Sequence, residues 1–537
     1  MSRWAAVLPE SVLHAWTEAV DRLSEHFGRP DTSALTVDQR PQIEFQEIDH
    51  PLTTSRLSAR PPSEAIALLA AHDSDGDGLA SRRFFAVEGA FEATVNSDPV
   101  AWSACCREVF TALQSGELVE AYLRGLRANP DAAVAHTAEI LDITVPRLQR
   151  TFELPDASEP GTGLTDPNGF QQVMLGLVQK LANKDGDIAA HLDTLWDICS
   201  RLIASAPSTG EVSSDPLERA INSRWGEGMV TLLTLAHWEY RNRDSIRSEF
   251  FATLDMLIAL SSASGLELRA VIASRRPLLE LIATEWLESR LRSVFVEDPF
   301  GRQTFDLTVK WSYPTPWLRA ECHDALFGAA KREVDNAADA IAIGLLNDEP
   351  GYDIATIIDH LASKAQVLAQ VVERIAFFVQ DAGPDSVGLT RAIETWDHLI
   401  SADTVADKQV VLEGTGRWAF VKHIADDRWL QMTADTLAVT GSRIGNQMWI
   451  ADRIARIPGT DDSCTISLAM LDHPEDQWDR QYIAERAIEM LRSWPTAATT
   501  AAHKLRARLI DLGYFAARNV VLPTDGQVPP VAGEPGQ

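Results

Sequence analysis

The chain has 537 residues, of which 45% are hydrophobic and 23% charged, so it can bury a large core and most of it should fold. Its 77 acidic residues outnumber its 48 basic ones, and the formal net charge is -29. Because contacts to phosphate groups require clustered Lys and Arg, this excess of carboxylates disfavours direct binding to nucleic acid or to an anionic membrane.

Cysteine usage and hydropathy indicate the cellular compartment in which the chain is expected to function. Five cysteines in a chain of this length do not make a disulfide framework, which suits a reducing environment. The N-terminal apolar run is too short for a signal peptide, and no stretch of 18 apolar residues occurs. We therefore predict a cytoplasmic protein.

The first third of the chain is predicted to be helical. An amphipathic helix runs from Val12 to Phe27, and a polar, proline-containing stretch follows it. Turn-forming residues at 153–169 predict the clearest linker. Between these two stretches, helical spacing of apolar residues predicts helices over residues 65–71, 84–95, 102–113 and 118–126, and a last helix that extends to Leu148.

A helix–turn–helix unit at residues 215–240 dominates the middle of the chain. Asp215 is a good N-cap, Pro216 fits the first helical position, and Glu218 stands where a capping-box carboxylate belongs. Residues 222–228 predict a tight turn with small residues, where two backbones could approach closely. The next helix has its apolar face at Met229, Leu232, Leu233, Ala236 and Tyr240.

The remaining pattern is also helical. The longest predicted helix runs from Asp353 to Asp381, with a partner from Leu389 to Ile400. Residues 305–311 alternate between apolar and polar and predict at most one minor hairpin. The other predicted helices cover residues 170–181, 188–202, 250–260, 266–272, 278–291, 320–329, 337–346, 429–439, 448–457, 482–491 and 505–515.

This pattern predicts an all-α fold, an irregular α-solenoid of stacked helix pairs with the HEAT-like spacing of ~40 to 45 residues. Breaks in the pattern divide the chain into segments. These are an N-terminal helix and linker (1–54), an N-terminal helical segment (55–152), the linker (153–169), a central helical-repeat segment (170–403), a C-terminal helical segment (404–520) and a disordered tail (521–537).

Motifs that carry common catalytic chemistries are absent from the sequence. A P-loop needs a Gly-Lys dipeptide and none exists, and the signatures of zinc proteases, Cys-x-x-Cys sites and serine hydrolases are missing too. Residues 73–78 resemble the start of a calcium loop, but Phe84 occupies the position of its essential Glu. We therefore predict a non-enzymatic chain with no cofactor and no metal site.

Two weaker candidates for chemistry lie at residues 322–324. His323 and Asp324 are half of a metal-hydrolase ligand set, but the sequence does not identify their partners. Cys322 and His323 could form a nucleophile pair only if adjacent helical side chains shared a face, which they do not. The favoured interpretation is that neither pair is catalytic.

Fifteen tryptophans are distributed along the chain. Trp102, Trp196, Trp286 and Trp396 lie on apolar helix faces and are predicted to be core residues. A second group lies between residues 311 and 317, where two prolines preclude a helix and place aromatic side chains on a loop or at its edges. Packing between repeats is the favoured role for this group, and anchoring of a protein partner is the alternative. The candidate partner-binding residues are Trp311, Tyr313 and Trp317.

Short stretches distributed along the chain form a further pattern. They are residues 57–65, 98–102, 122–126, 215–233, 426–430, 440–441 and 512–514. Together they resemble the C-terminal helical-repeat region of large multidomain bacterial, often actinobacterial, NTPase or effector proteins associated with antiphage defence. The resemblance covers about residues 55–520. Within the central block, Ser223-Arg224 stands where that family usually has His-Pro.

The resemblance implies a region that senses a ligand or holds an assembly together. We therefore expect a non-enzymatic α-solenoid that recognises a protein, such as a phage product. We expect it to organise a separate effector, such as an NTPase, nuclease or NADase subunit. The alternatives are an enzyme with a dispersed metal-hydrolase site that uses His323 and Asp324, and a purely structural oligomerisation module.

Overall fold

A computed structural model describes residues 52–74, 81–113, 115–152, 167–297, 300–403, 405–495 and 498–522. Its secondary structure in these ranges is helical, with no strand, which confirms the all-α prediction. None of the described helices combines the length and the apolar character that a membrane span requires. The predicted helix at 12–27, the calcium-type loop, most of the linker and the C-terminal tail lie outside the described ranges.

Contacts between residues divide the chain into two compact units, Met1–Ala128 and Asn129–Gln537. The segment boundaries expected from the sequence follow breaks in the helical pattern and not contacts between residues, so they stay predictions. The described helices of the first unit are α1 (Thr54–Ser58), α2 (Pro62–Ser74), α3 (Ser81–Ser97), α4 (Pro99–Ser103), α5 (Cys106–Ala112) and α6 (Gly116–Ala128).

The second unit begins with α7 (Pro130–Ala133), and 3-10 turns interrupt the helices at four places. The turns are Val134–His136, Ala189–His191, Gly414–Phe420 and Phe515–Asn519. The first helices after α7 are α8 (Thr137–Arg150), α9 (Pro167–Asn183), α10 (Leu192–Ala204), α11 (Pro216–Ile221), α12 (Arg224–Arg243), α13 (Ser248–Ala259), α14 (Ala263–Ser274), α15 (Arg276–Ile282), α16 (Thr284–Phe295), α17 (Gly301–Trp311), α18 (Pro316–Glu321) and α19 (His323–Lys331).

The rest of this unit continues in the same way, and many helices pack on the helix two positions further along the chain, as α20 does on α22 and α25 on α27. This neighbour pattern is consistent with stacked helix pairs, and the solenoid topology stays a prediction. The helices are α20 (Ala337–Leu346), α21 (Ile354–Leu361), α22 (Ala365–Val379), α23 (Val387–Ser401), α24 (Lys408–Glu413), α25 (Asp426–Thr440), α26 (Gln447–Arg456), α27 (Asp461–Asp472), α28 (Gln477–Arg492) and α29 (Thr500–Asp511).

The minor hairpin predicted at residues 305–311 is wrong, because this stretch is part of helix α17. Its buried residues include Thr304, Phe305, Thr308 and Val309, which follow helical spacing. In a stretch of only seven residues, several apolar positions fit both the two-residue period of a strand and the longer period of a helix. Burial of the threonines on the helix face decides between them here, and their hydroxyls donate to carbonyl oxygens one turn earlier.

Other predicted helices are each two shorter ones. The stretch predicted as one helix at residues 353–381 is α21 and α22, and the chain turns at Ala362 to Lys364 between them. The prediction at 102–113 overlaps both α4 and α5, and those at 278–291 and 320–329 each cross a break of a single residue, Ala283 and Cys322. Each short break changes the direction of the chain without ending the apolar pattern.

The central unit at residues 215–240 has the predicted helix–turn–helix form, but the turn predicted at 222–228 is shorter, because α12 begins at Arg224. The side chain of Asp215 accepts a hydrogen bond from the Glu218 amide at 2.9 Å, which confirms the N-cap. A capping box is not formed, because the Asp215 amide donates to the Ser213 hydroxyl at 3.2 Å. Ser223 caps α12 by accepting from the Gly226 amide at 3.1 Å.

Two glycines at the start of α12 allow the predicted close approach of backbones. A Cβ atom on Gly226 would lie 1.9 Å from the carbonyl oxygen of Ala220 in α11. A Cβ atom on Gly228 would lie 2.9 Å from the Cβ of Leu202 in α10. No side chain fits at the first position without separating the two helices, so glycine is required there.

Large aromatic residues fill the interior of both units. Trp102, Trp196, Trp286 and Trp396 are all buried, as predicted. Trp396 is fully buried against Trp418, with ring centroids 4.8 Å apart, and its indole N–H donates to the hydroxyl of Thr436 at 2.9 Å. All five cysteines lie in described residues and are free thiols.

Candidate functional site

The three aromatic candidates lie where α17 passes into α18, and we call residues 311–317 the aromatic loop. Trp311 ends α17, Tyr313 lies in the connection, and Trp317 lies in the first turn of α18. The exposed fractions of Trp311 and Tyr313 are 49% and 47%, whereas Trp317 is half-buried. Two large aromatic side chains are thus presented to solvent with a single residue between them, and the two prolines follow at positions 314 and 316.

One side of the aromatic loop rests on a buried arginine from α15. The Arg276 side chain is 2% exposed, and its guanidinium donates to the Tyr313 carbonyl at 2.7 Å and to the Ser312 hydroxyl at 3.2 Å. Glu280 neutralises this charge at 2.5 Å and also accepts a hydrogen bond from the Thr315 hydroxyl at 3.1 Å. The arginine and the glutamate therefore hold the loop at three of its residues.

A second buried arginine, Arg319 of α18, holds the other side. Its side chain is 3% exposed and donates to the carbonyl oxygen of Pro314. The same guanidinium makes a two-pronged contact with Glu349, with Nε 2.7 Å from one carboxylate oxygen and Nη2 bonded to the other. Thr315 caps α18 by accepting from the Leu318 amide at 3.3 Å. Planar pairing of this kind fixes direction as well as distance.

The exposed aromatic side chains are themselves anchored. The Tyr313 hydroxyl donates to Asp339 at 2.9 Å, and Asp339 also accepts from Arg374 at 2.6 Å. Partial burial of the phenol, together with its bond to Asp339, raises the pKa of Tyr313, so the hydroxyl stays a neutral donor. The ammonium group of Lys310 lies 5.3 Å from the centre of the Trp311 ring. The Tyr313 ring is therefore held in place before any partner binds, whereas the contact at Trp311 joins two neighbouring, solvent-accessible side chains and is weak.

Glu349 connects the aromatic loop to a cleft of about 480 Å³. Carboxylates dominate the charged lining of this cleft, and its arginine, Arg391, is paired with Asp348 at 2.5 Å. The lining residues are Leu345, Asp348, Glu349, Pro350, Gly351, Tyr352, Asp353, Ile354, Arg391, Glu394, Thr395 and His398. Such a lining suits a basic group and disfavours an anionic one.

The structure also brings a third ligand to the pair His323 and Asp324. His360, in the last turn of α21, joins them, and one ligand atom from each residue lies within 4.8 Å of the others. Sequence reasoning missed His360 because it is 36 residues from Asp324 and no local spacing links the two. Only the packing of α19 against α21 places them together.

The thiol of Cys322, next to His323 in the sequence, is buried. Its side chain is 2% exposed, and burial, together with the charge of Glu321, raises the pKa of the thiol to about 12. The thiolate that attacks substrates is therefore not formed near neutral pH. The interpretation that the adjacent pair is not catalytic stays a prediction.

The residues of the aromatic loop and of the histidine cluster carry the whole functional argument for this chain. Its proposed resemblance to antiphage proteins stays a prediction. No family model, no curated protein and no solved structure matches the chain.

Proposed function

We propose that this chain is a non-enzymatic helical scaffold that binds a protein partner through its aromatic loop. The observation that carries the proposal is the combination of exposure and rigidity at one place. Trp311 and Tyr313 are each about half exposed, while Arg276 and Arg319 fix the backbone beneath them from buried positions. A surface of this kind can bind without first being ordered.

Aromatic anchors of this type often dominate the energetics of an interface. Trp and Tyr are enriched among the residues whose truncation costs about 2 kcal/mol or more, and they work best when their conformation is fixed beforehand. Tyr313 has its hydroxyl bound to Asp339, so its exposed ring edge can contact a partner without loss of rotamer freedom. Trp311 offers the larger apolar area of the two.

Charge indicates the chemistry of the partner. The chain carries a net charge of -29, and the cleft adjoining Glu349 is lined by further carboxylates. Association with a basic protein surface would be accelerated by this field, and association with nucleic acid would be opposed. We extend the proposal to a role in bacterial antiphage defence, in which the partner is a separate effector subunit or a phage product. This extension is supported by the sequence resemblance alone.

The test begins with a tagged full-length chain used as bait in lysate of the organism that encodes it, with and without phage infection. Proteins recovered on the bait are identified by mass spectrometry, purified and titrated against the chain by calorimetry. The decisive comparison is between wild type, the double variant W311A/Y313A and the control W478A, because Trp478 is 78% exposed and lies far along the chain in α28.

We expect W311A/Y313A to weaken binding by about 30-fold or more, the equivalent of about 2 kcal/mol, and W478A to leave the affinity unchanged. Equal affinities for wild type and W311A/Y313A would refute the role of the aromatic loop. Self-association of the purified chain in light scattering, with no partner recovered, would favour the oligomerisation module. Metal-dependent hydrolysis would favour the enzyme.

A further inference from the structure

The cluster of His323, Asp324 and His360 has the composition of a metal site. Imidazole nitrogens and one carboxylate are the ligands that Zn²⁺, Co²⁺ and Ni²⁺ share, whereas Mg²⁺ and Ca²⁺ prefer oxygen alone. Ligand atoms around a tetrahedral zinc ion are about 3.4 Å apart. The three ligand atoms here lie within 4.8 Å of one another, and the Asp324 side chain is 93% exposed, so its carboxylate can adjust its position.

Hydrogen bonding defines which nitrogen of His323 faces the cluster. Nε2 lies 3.0 Å from the carbonyl oxygen of Gly351, and Nδ1 lies 3.1 Å from a carboxylate oxygen of Asp324. Both neighbours are acceptors, and a neutral imidazole has a single N–H. With the proton on Nε2, donated to Gly351, the lone pair of Nδ1 points towards a carboxylate. A cation bound by these two atoms removes that conflict, as a second ring proton would.

The bond to Gly351 is also the type of contact that orients metal-binding histidines. A backbone carbonyl that accepts from the distal ring nitrogen fixes both the tautomer and the ring plane. Gly351 has a φ of +84°, and a Cβ atom there would lie 2.9 Å from Nε2 of His323. Glycine is therefore required at position 351 for two reasons: the backbone conformation has a positive φ, and a side chain would collide with the His323 ring that its carbonyl group contacts.

Aromatic packing holds the two imidazole rings beside each other. The His360 ring stacks on Phe327 with centroids 4.3 Å apart, and the His323 ring contacts the same phenyl ring at 4.9 Å. Tyr352 supports His323 from a further side at 5.2 Å. The centroids of the two imidazoles are 5.1 Å apart. Their positions are thus set by packing and do not depend on an ion.

We propose that Nδ1 of His323, a carboxylate oxygen of Asp324 and a ring nitrogen of His360 bind one divalent transition-metal ion of the zinc class. The ion links the start of α19 to the end of α21. Residues 349–352 precede α21 in the sequence and contact His323 through the Gly351 carbonyl group. The same segment carries Glu349, the partner of Arg319 beneath the aromatic loop. The site is separate from the proposed partner-binding surface, and either can exist without the other.

The experiment uses the full chain without a histidine tag, freed of metal with chelator and titrated with Zn²⁺ by calorimetry. Co²⁺ titration adds a spectroscopic signature of nitrogen and oxygen ligands. The main variant is Asp324→Asn, whose exposed side chain is not needed for folding. His360→Gln is the second variant, and His398→Gln, a half-buried histidine of α23, is the matched control.

We expect one Zn²⁺ per chain, and an affinity at least about tenfold lower in D324N and in H360Q, since loss of even a supporting contact costs 10- to 100-fold. H398Q should bind as wild type does. Zn²⁺ should also slow amide exchange in peptides covering residues 349–361 of wild type and H398Q, but not of D324N. Absence of saturable uptake, or equal affinity in D324N, H360Q and wild type, would overturn the proposal.

Discussion

Replacement of Arg319 by Met tests whether buried charge supports the aromatic loop. The substitution keeps the length and apolar stem of the side chain but removes the guanidinium, which is 3% exposed in the folded protein. Glu349, whose side chain is 13% exposed, then loses both of its hydrogen bonds to the arginine. The Pro314 carbonyl loses its donor as well. The folded state is left with an uncompensated carboxylate and an unpaired carbonyl group.

The expected cost follows from this geometry. Removal of one partner from a buried ion pair costs about 3–5 kcal/mol, because the other charge stays desolvated. A lost hydrogen bond to a carbonyl group adds about 1 kcal/mol. Glu349 retains some access to water, which places the sum towards the lower end. We expect R319M to lower the free energy of unfolding by about 4 kcal/mol.

A double-mutant cycle separates the pair from its surroundings. Urea unfolding of wild type, R319M, E349Q and the double variant is followed by circular dichroism, with amide exchange over residues 311–322 as a local readout. Exchange is needed because long helical arrays can unfold in more than one step. The control is R290M, since Arg290 and Asp255 form an ion pair whose side chains are 43% and 41% exposed, and such pairs contribute up to about 1 kcal/mol.

The double variant should be more stable than R319M, with a coupling of about 2 kcal/mol or more between the two sites. Amides of the aromatic loop should exchange faster in R319M than in R290M. If R319M proves as stable as R290M, or if the two substitutions are additive, then Arg319 does not hold the loop in the way proposed. In that case, of the two buried arginines, Arg276 alone would support the rigid loop that the proposed partner binding requires.

Three further predictions concern the interior. Gly226→Ala should destabilise the protein by about 2–4 kcal/mol, because the new Cβ atom would lie 1.9 Å from a carbonyl oxygen. In the control, Gly388→Ala, the new Cβ atom meets only ordinary contacts, so this variant should be neutral or slightly stabilised. Equal urea midpoints for the two variants would contradict this prediction. Burial, and then the charge of Asp476, raises the pKa of Asp479, so ionisation of this carboxyl destabilises the folded state as the pH rises above the unfolded pKa of 3.8. Asp479→Asn should therefore be more stable than wild type at pH 7. Below about pH 4 the urea midpoints of the variant and of wild type should converge. Trp396→Phe should cost about 2–3 kcal/mol, since it leaves a small cavity and an unpaired buried hydroxyl; a loss of under about 0.5 kcal/mol would contradict that account.

Much of the helical pattern could be predicted because its causes are local. Asp215 and Pro216 mark a helix start through capping and a fixed φ angle, and both effects depend on neighbours within four residues. The buried tryptophans follow from apolar spacing within single helices. The short breaks at Ala283 and Cys322 could not be found in this way. Neither has a side-chain cap, a glycine or a proline at the break itself, so packing of the flanking helices decides where the chain turns.

The same distinction applies to the candidate sites. The prolines at 314 and 316 predicted a non-helical segment with aromatic residues, and the chain is non-helical over residues 312–315. The residues that fix this segment were not predictable, because Arg276 precedes the carbonyl group it binds by 37 residues. His360 is separated from its cluster in a similar way. No sequence pattern of fixed spacing describes contacts that depend on how distant helices pack.

The physical requirement for both arginines comes from the prolines themselves. Pro314 cannot continue α17 and Pro316 begins α18, so the carbonyl groups of Tyr313 and Pro314 lie between the two helices and outside the backbone bonding of either. Buried carbonyl groups must nevertheless be satisfied. The guanidinium of Arg276 bonds to the carbonyl of Tyr313 and that of Arg319 to the carbonyl of Pro314, and a glutamate neutralises each arginine. The interruption between α17 and α18 therefore accounts for both features of the aromatic loop. It leaves carbonyl groups that need donors from other parts of the fold, and it places the aromatic rings at the surface. The buried arginines that supply those donors also make the segment rigid.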